Sequence, residues 1–290
     1  MRLPMPARPR LARLAFVLLL AAAASPAQER KPESAGPYVP TPWIIVDEVL
    51  KLGGVGSADY VVDLGSGDGR LVLTAVARYG ARGGFGVDIL ADLVAEANAT
   101  AARQGVADRV KFLVRDLFDT PVGDATVVTL YLLPTSIPKL EGKLLAELAP
   151  GSRVVSHDYP FPDWPHDRFV KMDVPEKVAI TGTPRTTLYL YTVPARIAGD
   201  WELRLAGAPA QSPPLRLAVQ QRAAGATGRI GTRERMVDVT DFSVQGADVR
   251  LTLPAGVAGP RPVTLQGRAA DGAIEGTMDG GRWRAVRPSA

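Results

Sequence analysis

Hydrophobic residues recur with two different periods along this chain, and the change falls near Pro194. Between residue 58 and Pro194, short apolar runs alternate with longer segments in which apolar residues return every third or fourth position. The runs predict β-strands, and the longer segments predict amphipathic helices. Strands and helices that alternate in this way are typical of an α/β fold with a doubly wound parallel sheet.

The predicted elements follow one another closely. Strands are predicted at YVVDL, GGFGVDI, RVKFLVRD, DATVVTLYLL, SRVVSHDY and TTLYLYTVP. Helices are predicted at GRLVLTAVARYG, ADLVAEANATAARQG and IPKLEGKLLAELAPG. A further helix is expected ahead of the first strand, with Thr41 as its N-cap, Pro42 as its first residue and Gly53 at its end.

A different pattern follows Pro194, where helical periodicity disappears. Short alternating runs occur instead, at WELRL, LRLAV, DVRLTL, PVTLQG, AIEGTM and RWRAV. Turn pairs such as Asp271-Gly272 and Gly280-Gly281 separate them. Residues 199–290 are therefore predicted to form a small antiparallel all-β domain, a sandwich or a barrel. Because it holds no cluster of reactive side chains, we expect it to bind a partner, to dimerise or to shield a site.

The first 27 residues have the pattern of a signal peptide. Four arginines and no acid accompany an apolar stretch from Leu14 to Ala24, and small residues follow at Ser25 and Ala27. This pattern predicts export, to the periplasm, or a cytoplasmic protein if the signal is not used. Residues 28–37 are expected to form a linker, and no later segment is a transmembrane candidate.

Charge and composition narrow the function classes. The formal net charge is +4, but without residues 1–27 there are 30 basic and 30 acidic side chains. A balanced mature chain carries no electrostatic footprint for nucleic acid. The chain has no cysteine and only two histidines, His157 and His166, so we expect no disulfide, no thiolate chemistry and no metal site.

The segment VVDLGSGDGR joins the first predicted strand to a helix, and it is the main candidate for a ligand site. Asp63 ends the strand, and glycines follow at every second position from Gly65 to Gly69. A phosphate-binding P-loop would require Lys-Ser/Thr where Arg70 and Leu71 stand. A dinucleotide-binding loop would require glycine at Arg70, and nearby acids would repel a pyrophosphate.

A cofactor without phosphate suits this segment better. S-adenosylmethionine carries an ammonium and a sulfonium, so acids beside the loop favour it. Asp88 ends the second strand and can accept hydrogen bonds from both ribose hydroxyls, and Asp116 follows the third strand, where it can accept from the adenine amino group. The predicted cofactor-binding residues are Asp63, Gly65, Ser66, Gly67, Gly69, Asp88, Ile89, Asp116 and Leu117.

These motifs carry a family resemblance. VVDLGSGDGR resembles the first motif of the class I S-adenosylmethionine-dependent methyltransferases, and Asp88 stands where their ribose-binding acid falls. GPYVPTP, at 36–42, and TLYLLP, at 129–134, are similar to one branch of them, which includes lysine methyltransferases acting on the ATP synthase c-subunit and the adenine nucleotide translocase. The resemblance covers roughly 36–194 and implies a methyltransferase domain over 38–198 that acts on a protein lysine or another amine.

Acceptor-side residues are expected at the carboxyl ends of the later strands and in the entry motif. Candidates for catalysis are Tyr38, Thr41, Tyr131, His157 and Asp158, all expected to face one crevice. Two alternatives remain open from the sequence. The export signal also suits a non-catalytic binding module that keeps the fold, and a dehydrogenase is disfavoured by Arg70. The oligomeric state is not predicted.

Overall fold

The computed structural model describes residues 34–209 and 211–288, so the predicted signal peptide lies outside the described residues. Two β-sheets make up these parts of the chain. The strands of the first are β1 (Tyr60–Leu64), β2 (Gly83–Asp88), β3 (Val110–Val114), β4 (Val127–Leu130), β5 (Arg153–His157), β6 (Arg168–Asp173) and β7 (Arg185–Thr192). The helices are α1 (Trp43–Leu52), α2 (Arg70–Ala77), α3 (Ala91–Arg103), α4 (Ile137–Glu147) and α5 (Val178–Thr181).

The first sheet has the spatial order β3-β2-β1-β4-β5-β7-β6. Strands β1 to β5 are parallel, which confirms the predicted α/β fold. The last predicted strand, β7, is antiparallel to β5. The sequence analysis missed β6, which precedes β7 in the chain. The chain turns back from β6 into β7, so β7 runs antiparallel to β6 and pairs with it as well.

Helices cover both faces of this sheet. In β1, Val61 packs among residues of α1, α2 and α3, whereas its neighbour Val62 packs against α4. Leu140 and Leu144 of α4 are fully buried there. Each such side chain contributes about 1.5–3 kcal/mol through burial. Burial on both faces is the reason why the central strands are mostly apolar.

The start of α1 differs from the prediction. The helix begins at Trp43, and Pro42 is the N-cap with extended backbone angles. The carbonyl of Pro42 accepts from the backbone N–H groups of Ile45 and Val46. Thr41 is therefore not the cap, and its side chain is buried one residue before the cap. Gly53 ends the helix as predicted.

The second sheet is entirely antiparallel, which confirms the predicted all-β character of the C-terminal part. Its spatial order is β11-β10-β9-β8-β16-β15-β14-β13-β12. Its strands are β8 (Gly199–Leu205), β9 (Leu215–Arg222), β10 (Gly225–Gly231), β11 (Met236–Asp238), β12 (Thr240–Gln245), β13 (Asp248–Leu253), β14 (Val263–Ala270), β15 (Ala273–Met278) and β16 (Gly281–Val286).

This sheet closes on itself. Only Val239 separates β11, which pairs with β10, from β12, which pairs with β13. The two edge strands of this sheet, β11 and β12, thus follow each other directly along the chain, and the sheet forms an antiparallel barrel. Inward-facing side chains fill the interior, Trp201 and Trp283 among them.

The barrel lies at the amino-terminal edge of the parallel strands. Arg196, between β7 and β8, donates hydrogen bonds to the carbonyl oxygens of Leu145 (3.1 Å) and Leu148 (2.9 Å) at the end of α4. The Ala195 N–H donates to the Gly246 oxygen in the turn between β12 and β13. Ligand crevices of such sheets lie at the opposite, carboxyl edge. The barrel therefore does not shield the site, contrary to one expectation.

Among the described helices, none is both long and apolar enough to cross a membrane.

Candidate active site

A crevice of about 420 Å³ opens at the carboxyl ends of β1, β2, β4 and β5. It is the place where the loops after these strands meet the entry segment, residues 34–42. Every residue that lines it lies between 34 and 181, so no barrel residue takes part. The predicted residues that line it are Tyr38, Thr41, Asp63, Gly65, Ser66, Gly67, Asp88, Ile89, Leu117 and Tyr131.

The loop after β1 requires its three glycines. Gly65, Gly67 and Gly69 have φ angles of 86°, 50° and 80°, in the left-handed region. A Cβ at Gly67 would stand 2.5 Å from the Tyr38 ring, and one at Gly69 would stand 2.5 Å from the Phe112 ring. Gly67 thus lets the entry segment approach the loop, whereas Gly69 packs α2 against β3.

We expect Gly67→Ala to lower the affinity for S-adenosylmethionine about tenfold and stability by about 1–2 kcal/mol. The methyl group would push Tyr38 off the loop. Gly80→Ala is the matched control, because Gly80 has φ 72° and no atom within 4 Å of its Cβ position. It shares the backbone cost without the clash. Calorimetric titration and thermal unfolding separate the two effects, and equal affinities in both variants would contradict this role of Gly67.

Two carboxylates flank the loop in different environments. Asp63 is buried, accepts a hydrogen bond from the Thr129 hydroxyl (2.7 Å), and has its pKa raised to about 7 by burial. Asp88 accepts from the backbone N–H of Gly67 (2.9 Å) and from that of Leu90 (3.0 Å). Asp88 therefore braces the loop across from β2 while it lines the crevice.

The entry segment is tied down on both sides of the crevice. The Leu133 N–H donates to the Ala35 oxygen (3.0 Å), so residue 35, in the stretch expected to be a linker, packs against the loop after β4. Arg70 donates to the Thr41 oxygen (2.6 Å) and pairs with Asp68. Arg70, which stands where a dinucleotide-binding loop would require glycine, thus anchors the entry segment.

The residues of the crevice fit S-adenosylmethionine. The buried Ser66 hydroxyl has no hydrogen-bond partner among the described residues and lines the crevice, so a ligand can supply one. Asp63 and Asp88 offer acceptors for an ammonium group and for ribose hydroxyls. The left-handed glycines let such a ligand approach the backbone.

Two predicted cofactor residues do not line the crevice. Gly69 lies beneath the loop, against Phe112. Asp116 accepts a hydrogen bond from the Phe118 N–H (2.8 Å), whereas its neighbour Leu117 faces the crevice. The adenine role of Asp116 therefore stays a prediction.

The five acceptor-side candidates separate into two groups. Tyr38, Thr41 and Tyr131 line the crevice, but His157 and Asp158 do not, contrary to the expectation that all five would face it. His157 is buried and stacks on the Tyr131 ring, with centroids 3.8 Å apart. Burial lowers the pKa of His157 to about 4, so it stays neutral at neutral pH.

A buried lysine behind this group was missed by the sequence analysis. Lys177 is 2% exposed and forms an ion pair with Asp158. It follows β6 in a short 3-10 turn, at 175–177. No motif surrounds it, and a lone lysine next to a glutamate indicates a surface position, so the sequence held no signal for it.

Apolar side chains surround the mouth of the crevice, and we call them the apolar rim. Leu90, Leu133 and Tyr159 line the crevice and are still 37–45% exposed. Others adjoin the lining residues Thr41 and Thr181 along the chain. The members of the apolar rim are Trp43, Ile44, Leu90, Leu133, Tyr159, Val178 and Ile180. The sequence analysis missed this rim, because apolar residues in helices and after strands are indistinguishable from core residues by pattern.

Known proteins resemble this part of the chain. The family model of the ANTKMT methyltransferase domain matches residues 63–168. A protein-lysine N-methyltransferase of Saccharolobus islandicus is 36% identical over 157 residues, which are 54% of this chain and 93% of that protein. The adenine nucleotide translocase lysine N-methyltransferase of Mus musculus is also 36% identical over 157 residues, which are 54% of this chain and 63% of the mouse protein.

A solved structure shares more sequence. The RNA methyltransferase of Salinibacter ruber, in complex with S-adenosyl-L-homocysteine, is 45% identical, covers 55% of this chain and 96% of its own, and has a TM-score of 0.49. Nothing in the site or in these relatives supports the alternative of a non-catalytic module. The family model, the archaeal relative and the residues of the crevice all indicate a methyltransferase whose cofactor is S-adenosylmethionine. The chain belongs to the protein-lysine methyltransferase family.

Proposed function

We propose that this enzyme methylates the side-chain amine of a lysine that stands in an apolar segment of another protein. The observation that carries the proposal is the apolar rim, since it surrounds the mouth of the cofactor crevice. Exposed apolar patches of this kind are typical of surfaces that bind another polypeptide. The names of the archaeal and mouse relatives support lysine as the acceptor.

Methyl transfer requires the protein mainly to hold the two reactants in position. When bound, S-adenosylmethionine supplies a methyl group on a cationic sulfur, and the carbon–sulfur electron pair stays on sulfur as the amine lone pair forms the new nitrogen–carbon bond. Asp88 and the glycine loop position the cofactor. Tyr38 and Leu133 exclude water from the mouth, and Tyr131 borders the place where the amine arrives. Proximity and alignment of this kind account for much of the acceleration in such reactions.

The test uses the full chain, S-adenosylmethionine and two peptides of equal length and charge. One peptide has its lysine among leucine and alanine, and the other has it among serine and glycine. We expect methylation of both, detected by mass, with a KM about tenfold lower for the apolar peptide. Transfer to RNA and not to peptide would overturn the proposal.

Variants locate the binding surface. Leu133→Ser is expected to raise the KM for the apolar peptide several-fold, through a loss of about 1–2 kcal/mol, and to leave cofactor affinity unchanged. Phe169→Ser is the matched control, because Phe169 is 51% exposed on β6 and does not line the crevice. An equal effect of both substitutions would contradict the role of the rim.

A further inference from the structure

Lys177 is held as a fully engaged cation inside the protein. Its ammonium contacts the Asp158 carboxylate, the Arg185 carbonyl oxygen (2.9 Å) and the Thr186 hydroxyl (3.0 Å). These three partners match the three N–H donors of a lysine. A buried ion pair is seldom kept for stability, since desolvation offsets most of the attraction. Lys177 does not line the crevice, so contact with the cofactor does not account for its burial.

Asp158 adopts an unusual backbone conformation at the end of β5. Its φ angle is 66°, which residues with a Cβ rarely adopt. Hydrogen bonds with β7 hold it there, since the Asp158 N–H donates to the Thr187 oxygen (2.7 Å) and the Thr187 N–H donates to the Asp158 carboxylate (3.2 Å). Strained residues of this kind cluster at functional sites.

The Lys177–Asp158 pair lies beside the crevice residue Tyr131, since the Lys177 ammonium stands 5.9 Å from the centre of the Tyr131 ring. Burial and then Asp158 raise the pKa of the Tyr131 hydroxyl far above its ordinary value, so the phenol keeps its proton and cannot act as a base at neutral pH. The ring plane of Tyr131 is fixed by the stacked imidazole of His157. A phenol has one hydrogen to donate and lone pairs to accept with. If the hydrogen is directed to Asp158, the lone pairs are left for the crevice.

We propose that Lys177 is a positioning residue for methyl transfer: it holds Asp158 as a carboxylate that takes the hydrogen bond of Tyr131, so that the Tyr131 oxygen accepts an N–H of the incoming amine. This inference rests on the proposed function. The amine enters neutral, its lone pair points away from Tyr131, and the nitrogen–carbon bond forms as the carbon–sulfur bond breaks. The electron pair leaves with sulfur, and the proton stays on the product nitrogen.

The groups that face Asp158 come from several elements. Tyr131 follows β4, His157 ends β5, Tyr159 follows it and Lys177 precedes α5. From β7 the Arg185 carbonyl oxygen, the Thr186 hydroxyl and the Thr187 backbone reach the pair, and these groups are neutral. Lys177 is therefore the cation that the Asp158 carboxylate pairs with.

Lys177→Met keeps the length of the side chain and removes the charge. We expect kcat on the lysine peptide to fall about 100-fold, because Asp158 loses the ammonium that holds its carboxylate beside Tyr131. Cofactor affinity is expected to stay within about twofold. Lys177→Arg should restore most of the activity, and Lys171→Met, on exposed β6, should change nothing. An unchanged kcat in a folded Lys177→Met protein would overturn the proposal.

Further variants separate positioning from misfolding. Lys177→Met with Asp158→Asn leaves no unpaired charge, so it is expected to fold and to bind cofactor, with a low kcat. Adding Lys177→Met to Tyr131→Phe should cost no further activity, because both act through one hydrogen bond. Additive losses would overturn the proposal.

A spectroscopic readout distinguishes this failure from failure of the proposed function. In protein labelled with ¹³C at tyrosine Cζ, the Tyr131 resonance, assigned through Tyr131→Phe, is expected to move in Lys177→Met and not in Lys171→Met. The shift requires no acceptor, so it tests the pair even if no lysine peptide is methylated. An unmoved resonance would overturn the proposal.

Discussion

Asp88→Ala is expected to lower the affinity of the protein for S-adenosylmethionine by at least about 100-fold. Two losses add up. The variant loses the carboxylate that lines the crevice and can accept both ribose hydroxyls, and charged hydrogen bonds of this kind contribute about 1.5–3 kcal/mol each. It also loses the acceptor that braces the Gly67 N–H, so the loop loses its support from β2.

Calorimetric titration of the full chain measures this directly. Asp92→Ala is the matched control, because Asp92 is an exposed acid in the first turn of α3, a few residues further along. It is expected to bind as the wild type does. Asp88→Asn keeps one acceptor and should fall between the two. Unchanged affinity in a folded Asp88→Ala protein would mean that the ribose does not bind at the end of β2.

The sequence predicted the elements whose period is strong. The α/β order, the loop after β1 and the positions of α1 to α4 follow from local pattern, since apolar spacing and glycines determine them. The grouping of the cofactor-binding acids follows as well, because the carboxyl ends of parallel strands must meet at one edge of the sheet. Asp63 and Asp88 are for this reason found together in the crevice.

The elements that were missed depend on distant partners. Strand β10 reads GATGRIG, with little strand propensity of its own, and forms because β9 and β11 pair with it on either side. The burial of Lys177 depends on Asp158, which lies 19 positions earlier in the chain. Pattern analysis reports neither effect, because both arise from tertiary contacts.

Two buried groups are expected to give the stability of this protein opposite dependences on pH. Asp63 has its pKa raised by burial from 3.8 to about 7. The folded state keeps a proton that the unfolded chain has lost, so this group's contribution falls as the pH rises from 3.8 to 7, by about 4 kcal/mol. His157 has its pKa lowered by burial from 6.5 to about 4. The unfolded chain gains a proton that the folded state refuses, so this contribution is lost as the pH falls from 6.5 to 4, by about 3 kcal/mol.

The two contributions oppose each other over almost the same range, so single substitutions are needed to reveal them. Relative to the wild type, Asp63→Asn should gain about 4 kcal/mol of unfolding free energy between pH 4 and pH 7, because the penalty of the buried carboxylate is gone. His157→Phe should lose about 3 kcal/mol relative to the wild type between pH 4 and pH 6.5, because a contribution that rises with pH is gone. Urea unfolding at each pH measures both differences, and the double variant should show their sum. A difference that stays constant with pH in either single variant would mean that the group is not buried in the ionisation state described here. Asp63 lines the cofactor crevice, and His157 stacks on Tyr131, which lines the same crevice. The energetic cost of burying an ionisable group therefore falls on two side chains that shape the active site.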